Sequence, residues 1–276
     1  MQITSHRNPK VKHLRSLKLR KYRWQSRSYL VEGIRIVEDA LVRGALVETL
    51  VYSPDLLVSA RAQALVQQSA ATRHLIVSES VFRSLSQRDD PQGIAAVVHI
   101  EESSLNEIAI ADDTLLLVAH ALRDPGNLGS IVRTADAVGA TGLVVVEPTV
   151  DLYDPQAVRA TMGSLFALPI FRVPGEGALV DWLSEVRAAS PPLFVVGTSA
   201  RGEETYDTVD YCRPLVLLVG SESHGLPATV RSVADVNVRL SMMGGASSIN
   251  VSAAAAVLLY EVLRQRQTAA SSSANV

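Results

Sequence analysis

Asn127 and Arg133 stand six residues apart in Asp124-Pro-Gly-Asn127-Leu-Gly-Ser-Ile-Val-Arg133-Thr-Ala135, an amide and a guanidinium at the start of a segment that is otherwise apolar at helical spacing. Leu128, Ile131, Val132, Ala135 and Val138 predict an inward face, packed on a sheet begun by the preceding strand, Thr114 to Ala119. Asn127 is expected at the N-cap. Orphan backbone N–H groups, the positive end of the helix dipole and Arg133 would then converge on a phosphate or another polar, anionic ligand. A capped crossover helix with a solvated arginine accounts for the same residues, so this segment does not decide alone.

Two further segments bear on the choice. Pro214-Leu-Val-Leu-Leu-Val-Gly220-Ser-Glu222-Ser-His224-Gly225-Leu-Pro227 is a buried-strand pattern running into a glycine-bracketed loop, with a helix start at Pro227. In an open α/β sheet the loop beyond a strand's carboxyl end borders the ligand crevice, so Glu222 is expected to face a ligand there. Ser247-Ser248-Ile249-Asn250 then precedes a long helix-forming run from Val251, and by itself would be read as a helix cap.

Taken in this order and separation, the three segments resemble the SpoU (TrmH-like) family of S-adenosylmethionine-dependent RNA ribose 2′-O-methyltransferases, in the SPOUT superfamily. Asn127 to Ala135 is similar to its first motif, Gly220 to Leu226 to its second, and Ser248 to Ala253 to its third, with Ile249 where the family usually has Leu. Pro91-Gln92-Gly93 resembles the turn closing the family's N-terminal substrate-binding domain, and Leu30-Val-Glu32-Gly33 that domain's first strand and turn. The resemblance implies a catalytic set of Arg133, Asn127, Glu222, Ser248 and Asn250, and a cofactor pocket lined by Thr198, Gly220, Leu240 and Ile249. It also implies a C-terminal trefoil knot, which periodicity cannot reveal, and a homodimer through the catalytic domain. Arg133 is expected to grip the RNA phosphate, since a guanidinium does not act as a base. Glu222 is left as base or hydrogen-bond acceptor, and His224 as an alternative base. The Ala253 to Ala256 run fits close approach by a partner helix or packing within its own chain.

With 276 residues, 47% hydrophobic and 20% charged, the chain suffices for two cores. One cysteine, Cys212, and the lack of an apolar leader or long apolar span point to a cytoplasmic protein without membrane contact. The six histidines show no metal-ligand spacing, and no phosphate-binding or dinucleotide glycine fingerprint occurs. The net charge of −2 conceals an asymmetry, because residues 1 to 31 carry nine Lys and Arg and no acid. Arg7, Lys10, Lys12, Arg15, Lys18, Arg20, Lys21 and Arg23, interleaved with His13, Tyr22 and Trp24, suit phosphate neutralisation and base stacking. Val11, Leu14 and Leu17 make an apolar stripe on the same segment, so a helix docked by the stripe and presenting its cations to RNA is expected.

The fold class expected is α/β. A small α/β RNA-binding domain is placed at 1–100, a linker at 101–112, a SPOUT-type methyltransferase domain at 113–266 and a disordered tail at 267–276. Helices are expected near 8–20, 33–43, 54–69, 78–85, 127–138, 176–189 and 249–265, with strands near 28–31, 47–52, 73–77, 94–99, 114–119, 142–146, 193–198, 215–219 and 236–240. The expected partner is ribosomal RNA, because the N-terminal domain resembles that of rRNA-modifying relatives. A tRNA substrate and a non-catalytic RNA-binding protein are the alternatives.

Overall fold

The computed structural model describes residues 2–69, 71, 73–189 and 193–273. It divides into two units: Met1–Glu101 with Asp151–Ala167, and Glu102–Val150 with Leu168–Val276. The first unit runs α1 (Pro9–Ser16), α2 (Arg20–Ser26), β1 (Ser28–Glu32), α3 (Ile34–Val42), β2 (Val47–Tyr52), α4 (Ala60–Gln68), β3 (Arg73–Ile76), α5 (Glu79–Leu85) and β4 (Ile94–His99). Its sheet has the order β1-β4-β2-β3, with β4 antiparallel to β1 and β2, and β3 parallel to β2. Gly93 holds the turn into β4 with φ +74°, and a Cβ there would lie 2.7 Å from the Leu56 carbonyl carbon, so glycine is required on both counts.

The single helix expected near 8–20 is two. Asn8 caps α1 by accepting from Lys10 N–H at 2.9 Å, with Pro9 at the first helical position. Val11, Leu14 and Leu17 are buried against Val81, Phe82 and Leu85, each side chain contributing about 1.5–3 kcal/mol of transfer free energy. The chain breaks after Leu17 and restarts at Arg20, leaving terminal carbonyls of α1 without helical donors. Arg23 supplies donors here: its Nη1 donates to Leu17 O at the C-cap and to Lys18 O in the link to α2, both at 2.9 Å. Its Nε and Nη2 donate to Asp151 Oδ2 at 2.9 and 2.6 Å, and the residue is 1% exposed. Arg23 therefore cannot be one of the RNA-facing cations, because a guanidinium with five donors is consumed by a buried carboxylate and two carbonyls. Tyr22, by contrast, is exposed. The helix expected over 54–69 begins only at Ala60, since Leu56 and Leu57 N–H both turn back to Ser53 O.

The second unit runs β5 (Leu115–His120), α6 (Pro125–Ala137) and β6 (Gly142–Val146); then, after α7 (Pro155–Thr161), which belongs to the first unit, β7 (Ile170–Val173), α8 (Glu176–Ala189), β8 (Phe194–Thr198), β9 (Glu204–Thr205), β10 (Leu215–Val219), α9 (Ala228–Arg231), β11 (Val236–Arg239) and α10 (Val251–Ser273). Its seven strands are all parallel, in the order β7-β6-β5-β10-β8-β11-β9. The central strands β6 and β10, and β5 as far as Ala119, are unbroken apolar runs, and all three are buried along their whole length, as helices on both faces of a parallel sheet demand. β7 escaped the sequence reading because it is a four-residue edge strand behind Pro169.

Residues 102–110 are not a free linker. Ser103 bridges to Phe171, Ser104 and Glu107 cap the turn Leu105–Glu107 reciprocally, and Leu105, Ile108 and Ile110 pack on the second core. The segment expected as a tail is helical through Ser273, where Thr268, Ser271 and Ser272 hydroxyls donate back to carbonyls four residues earlier; 274–276 lie outside the described residues. Arg266 fastens α10 by donating to the carbonyls of Asp113, Thr114 and Arg213 at the base of β5 and β10. Among the described residues no helix is long and apolar enough to cross a membrane.

Candidate functional site

The functional candidates gather beyond the carboxyl ends of β5, β8, β10 and β11, where the strands stop and backbone loops begin. At the mouth of α6 the N-cap is Asp124, not Asn127: its Oδ1 accepts from Asn127 N–H at 2.7 Å, with Pro125 at the first helical position. Asn127 is already helical, and its side chain is therefore released from capping. Asp-Pro ahead of an apolar periodic run is itself a helix-start signal that could have located the cap.

The freed amide joins a chain of hydrogen bonds drawn from three elements. Asn250 caps α10, its Oδ1 accepting from Ser252 N–H at 2.8 Å and Ala253 N–H at 3.3 Å. That fixes its Nδ2 outward, where it donates to Asn127 Oδ1 at 2.9 Å. Asn127 Nδ2 in turn donates to Glu222 Oε1 at 2.9 Å, and Glu222 Oε2 accepts from Arg123 N–H at 3.3 Å. Because a carboxylate only accepts and a backbone N–H only donates, the two ends dictate the orientation of both amides between them. One lone pair on Asn127 Oδ1 and one N–H on each of the Asn127 and Asn250 amides are left over by this chain.

Burial pushes the Glu222 carboxyl upward, but hydrogen bonds from Asn127 and from the backbone amides of Glu222, Arg123 and Asp124 outweigh it, and the net direction is below the ordinary 4.5. Glu222 thus stays ionised through the neutral range and suits an acceptor better than a base. His224 is engaged with Ser223 at 2.7 Å and makes no hydrogen bond to the Asn250–Asn127–Glu222 chain.

A cavity of about 490 Å³ is lined by Thr198, Gly220, Leu240 and Ile249 together with Ser248 and Ala254, within the range of about 300–1,000 Å³ usual for small-molecule sites. All four residues expected to line a cofactor pocket thus meet in one place, as does Ser248. Gly220 packs directly under the loop it precedes: a Cβ would fall 2.2 Å from Gly225 C and 2.3 Å from Leu226 N, both backbone. Ser221 and Gly225 exchange backbone hydrogen bonds, which closes that loop and sets Glu222 at its tip. Arg201 and Arg231 also line the cavity, and nothing in their spacing marked them. A second cavity, of about 480 Å³, shares Ser221, His224 and Gly225 with the first and includes His120, whose buried imidazole is held below 6.5 by desolvation in spite of Glu176 3.3 Å away.

Arg133 is exposed on α6, makes no hydrogen bond or ion pair among the described residues, and lines neither cavity. Ala254 and Ala255 are taken up inside the chain, the first in the cavity wall and the second fully buried. Of the basic arm, Arg7, Lys10, Lys12, Arg20 and Lys21 are exposed. Arg15 donates to Ser84 Oγ at 3.0 Å, and Lys18 reaches the carbonyls of Ser84 and Ser86 at 3.5 and 3.4 Å.

Residues 114–260 match the family model described as the SpoU rRNA Methylase family, and residues 8–96 the MRM3-like substrate binding domain. The chain is 35% identical over 272 residues to a 23S rRNA (uridine(2479)-2′-O)-methyltransferase of Streptomyces viridochromogenes, covering 94% of both chains. It is 31% identical to the 23S rRNA (guanosine(2553)-2′-O)-methyltransferase RlmP of Bacillus subtilis, over 95% of this chain and 98% of that one. The crystal structure of the SpoU methyltransferase AviRb from Streptomyces viridochromogenes in complex with AdoMet superimposes with a TM-score of 0.88 at 35% identity, covering 94% of this chain and 98% of that chain.

Proposed function

We infer, from the premise that this chain belongs to the SpoU rRNA methylase family, that it transfers the methyl group of S-adenosylmethionine to a ribose 2′-hydroxyl of large-subunit ribosomal RNA in the cytoplasm. The observation that carries this reading is the Asn250–Asn127–Glu222 chain beside the 490 Å³ cavity. The cavity fits the cofactor: backbone loops beyond four parallel strands, an apolar wall of Leu240 and Ile249 for the adenine, and Arg201 and Arg231 for the carboxylate. When bound, the cofactor supplies a sulfonium methyl that the ribose oxygen can take by in-line displacement.

The chain's own residues then align the hydroxyl. Asn127 Oδ1 has one lone pair to accept the ribose O–H, and Asn250 has one N–H to give, while Glu222 and the cap of α10 keep both amides from rotating. Arg133 binds the RNA phosphate, leaving the phosphate or a water to receive the proton. Incubating the chain and labelled cofactor with transcripts of 23S rRNA and of tRNA, then mapping the methyl by mass, tests the reading. A single 2′-O-methyl on 23S rRNA is expected, and methylation confined to tRNA overturns the substrate.

Gly220→Ala is expected to weaken S-adenosylmethionine binding by roughly tenfold or more, because a methyl in backbone contact must displace the 221–225 loop. Calorimetry on the folded variant checks this; unchanged affinity would detach the loop from the cofactor site.

The protein works as a homodimer through its catalytic unit. Supporting this, Arg133 lies outside its own chain's cavity lining, and Val257 and Tyr260 form an exposed apolar strip on α10, at 40% and 54% exposure. A second copy seated on that strip would bring an Arg133 toward a site that lacks one. Tyr260→Asp is expected to shift sedimentation to the monomer and to remove activity with it, whereas a fully active monomer would defeat the dimer.

A further inference from the structure

The first unit contains a cavity of about 270 Å³ that owes one wall to chain inserted between β6 and β7. Its floor is apolar, from Leu30, Ile36 and Leu85 on the N-terminal elements and Val158 on α7. Its rim carries Lys18, Arg35, Arg88 and Arg159. Neither Arg88 nor Arg159 has a side-chain hydrogen bond or ion pair among the described residues, and Arg35 has only a 4.0 Å approach to Asp39 with 71% of its side chain exposed.

The one carboxylate on the rim, Glu32, is already satisfied: Oε1 accepts from Ser86 Oγ at 2.5 Å and Oε2 from Gln87 N–H at 3.1 Å. Gln92 Oε1 is likewise held by Ile34 N–H at 3.0 Å. Among the described residues the site therefore presents two guanidiniums without a side-chain partner, Arg88 and Arg159, with the loosely paired Arg35 and with Lys18, around a small apolar hollow whose single carboxylate, Glu32, is outnumbered four to one by cations. Arginine in that setting recognises phosphate by bidentate hydrogen bonds and offers a flat face to a base.

We propose that this cavity is an RNA subsite seating one unstacked nucleotide, its phosphate held by Arg88 and Arg159 and its base on the Ile36 and Val158 floor. The occupant follows from charge, size and surroundings. The hollow takes a single base rather than a helix or peptide strand, its rim is cationic, and it opens on a unit that matches a substrate-binding domain. Single-stranded RNA, whose splayed bases lie on guanidinium planes and apolar surface without strong sequence preference, has that chemistry. The subsite rests on the proposed RNA substrate and adds to it that α7, encoded within the methyltransferase region, reads RNA together with the N-terminal elements.

The test is filter binding of the full chain to unmodified 23S rRNA transcript over a salt series, with R88Q/R159Q and, separately, Ile36→Trp to fill the hollow. Both should keep the denaturant transition of the unaltered chain, which establishes that the first unit folds, and should bind S-adenosylmethionine as it does, which establishes the same for the second. The arginine pair should weaken RNA binding by roughly tenfold for each lost charged contact and reduce the salt slope by about 0.7 per contact. Ile36→Trp should weaken binding with little change of slope, and in both the KM for RNA should rise while kcat at saturating RNA stays near normal. An unchanged slope in R88Q/R159Q overturns the subsite, and so does normal binding by Ile36→Trp, which would leave only an open basic patch. RNA bound through the cavity without any methyl transfer would sink the proposed activity and leave the subsite standing.

Discussion

Asn127→Ala is expected to lower kcat for methyl transfer by about a hundredfold or more, the scale at which loss of alignment at a reacting centre is felt. The substitution removes the link on which three elements converge. Glu222 Oε1 loses its side-chain donor, Asn250 Nδ2 loses its acceptor, and the lone pair assigned to the ribose hydroxyl disappears. S-adenosylmethionine binding should remain close to normal, because Asn127 is absent from the cavity lining. Arg133→Ala should give the same phenotype for a different reason, loss of the phosphate grip, and Arg133→Lys should not rescue it, since a point ammonium cannot replace a planar fork. Single-turnover assays with calorimetry in parallel would decide. Near-normal turnover in Asn127→Ala would remove the amide chain from the mechanism, and near-normal turnover in Arg133→Lys would remove the bidentate phosphate contact.

Arg23→Ala should be the most destabilising single change in the first unit, at about 3–5 kcal/mol, because it strands a carboxylate with 4% side-chain exposure and two carbonyls at and just after the end of α1. Asp151→Ala should match it from the other side. The pair joins residues 128 apart and fastens 151–167 within the first unit, where Trp24 and Tyr29 also pack on Tyr153. Arg23→Met with Asp151→Leu should recover much of the loss, since an apolar pair of similar volume leaves no buried charge. Denaturant titration of the four proteins compares these losses directly. A loss below about 1 kcal/mol for Arg23→Ala, the range of exposed pairs, would contradict the burial that the structure shows.

Much of the architecture is written locally. β2, β4, β6 and β10 fall where alternating or unbroken apolar runs put them, and α3, α5, α6 and α8 where periods of three and four occur, because each pattern reports the face its own residues must bury. The candidate site residues are singled out differently: read locally, Asn127 and the Ser248–Asn250 stretch are helix-start residues, and only the resemblance of three motifs in order points to Asn127, Glu222, Ser248 and Asn250 together.

What could not be read are the relations between distant segments. Arg23 resembles its neighbours Arg20 and Lys21 until folding brings Asp151 against it, and the same basic segment buries Val11, Leu14 and Leu17 in the core. Asn127 had the right type for an N-cap, yet Asp124 holds that position, and only the arrival of Glu222 and Asn250 at the same point turned the freed amide into part of a site. α7 lies between two strands of one sheet and packs in the other unit, carrying Arg159 to Arg88. The sequence by itself therefore determined most of the helices and strands and their apolar faces, because those properties depend largely on neighbours a few positions away. The tertiary structure alone decided which cations are spent on carboxylates and which remain for RNA, because a charge is satisfied by whatever the fold places within about 3 Å, at any separation along the chain.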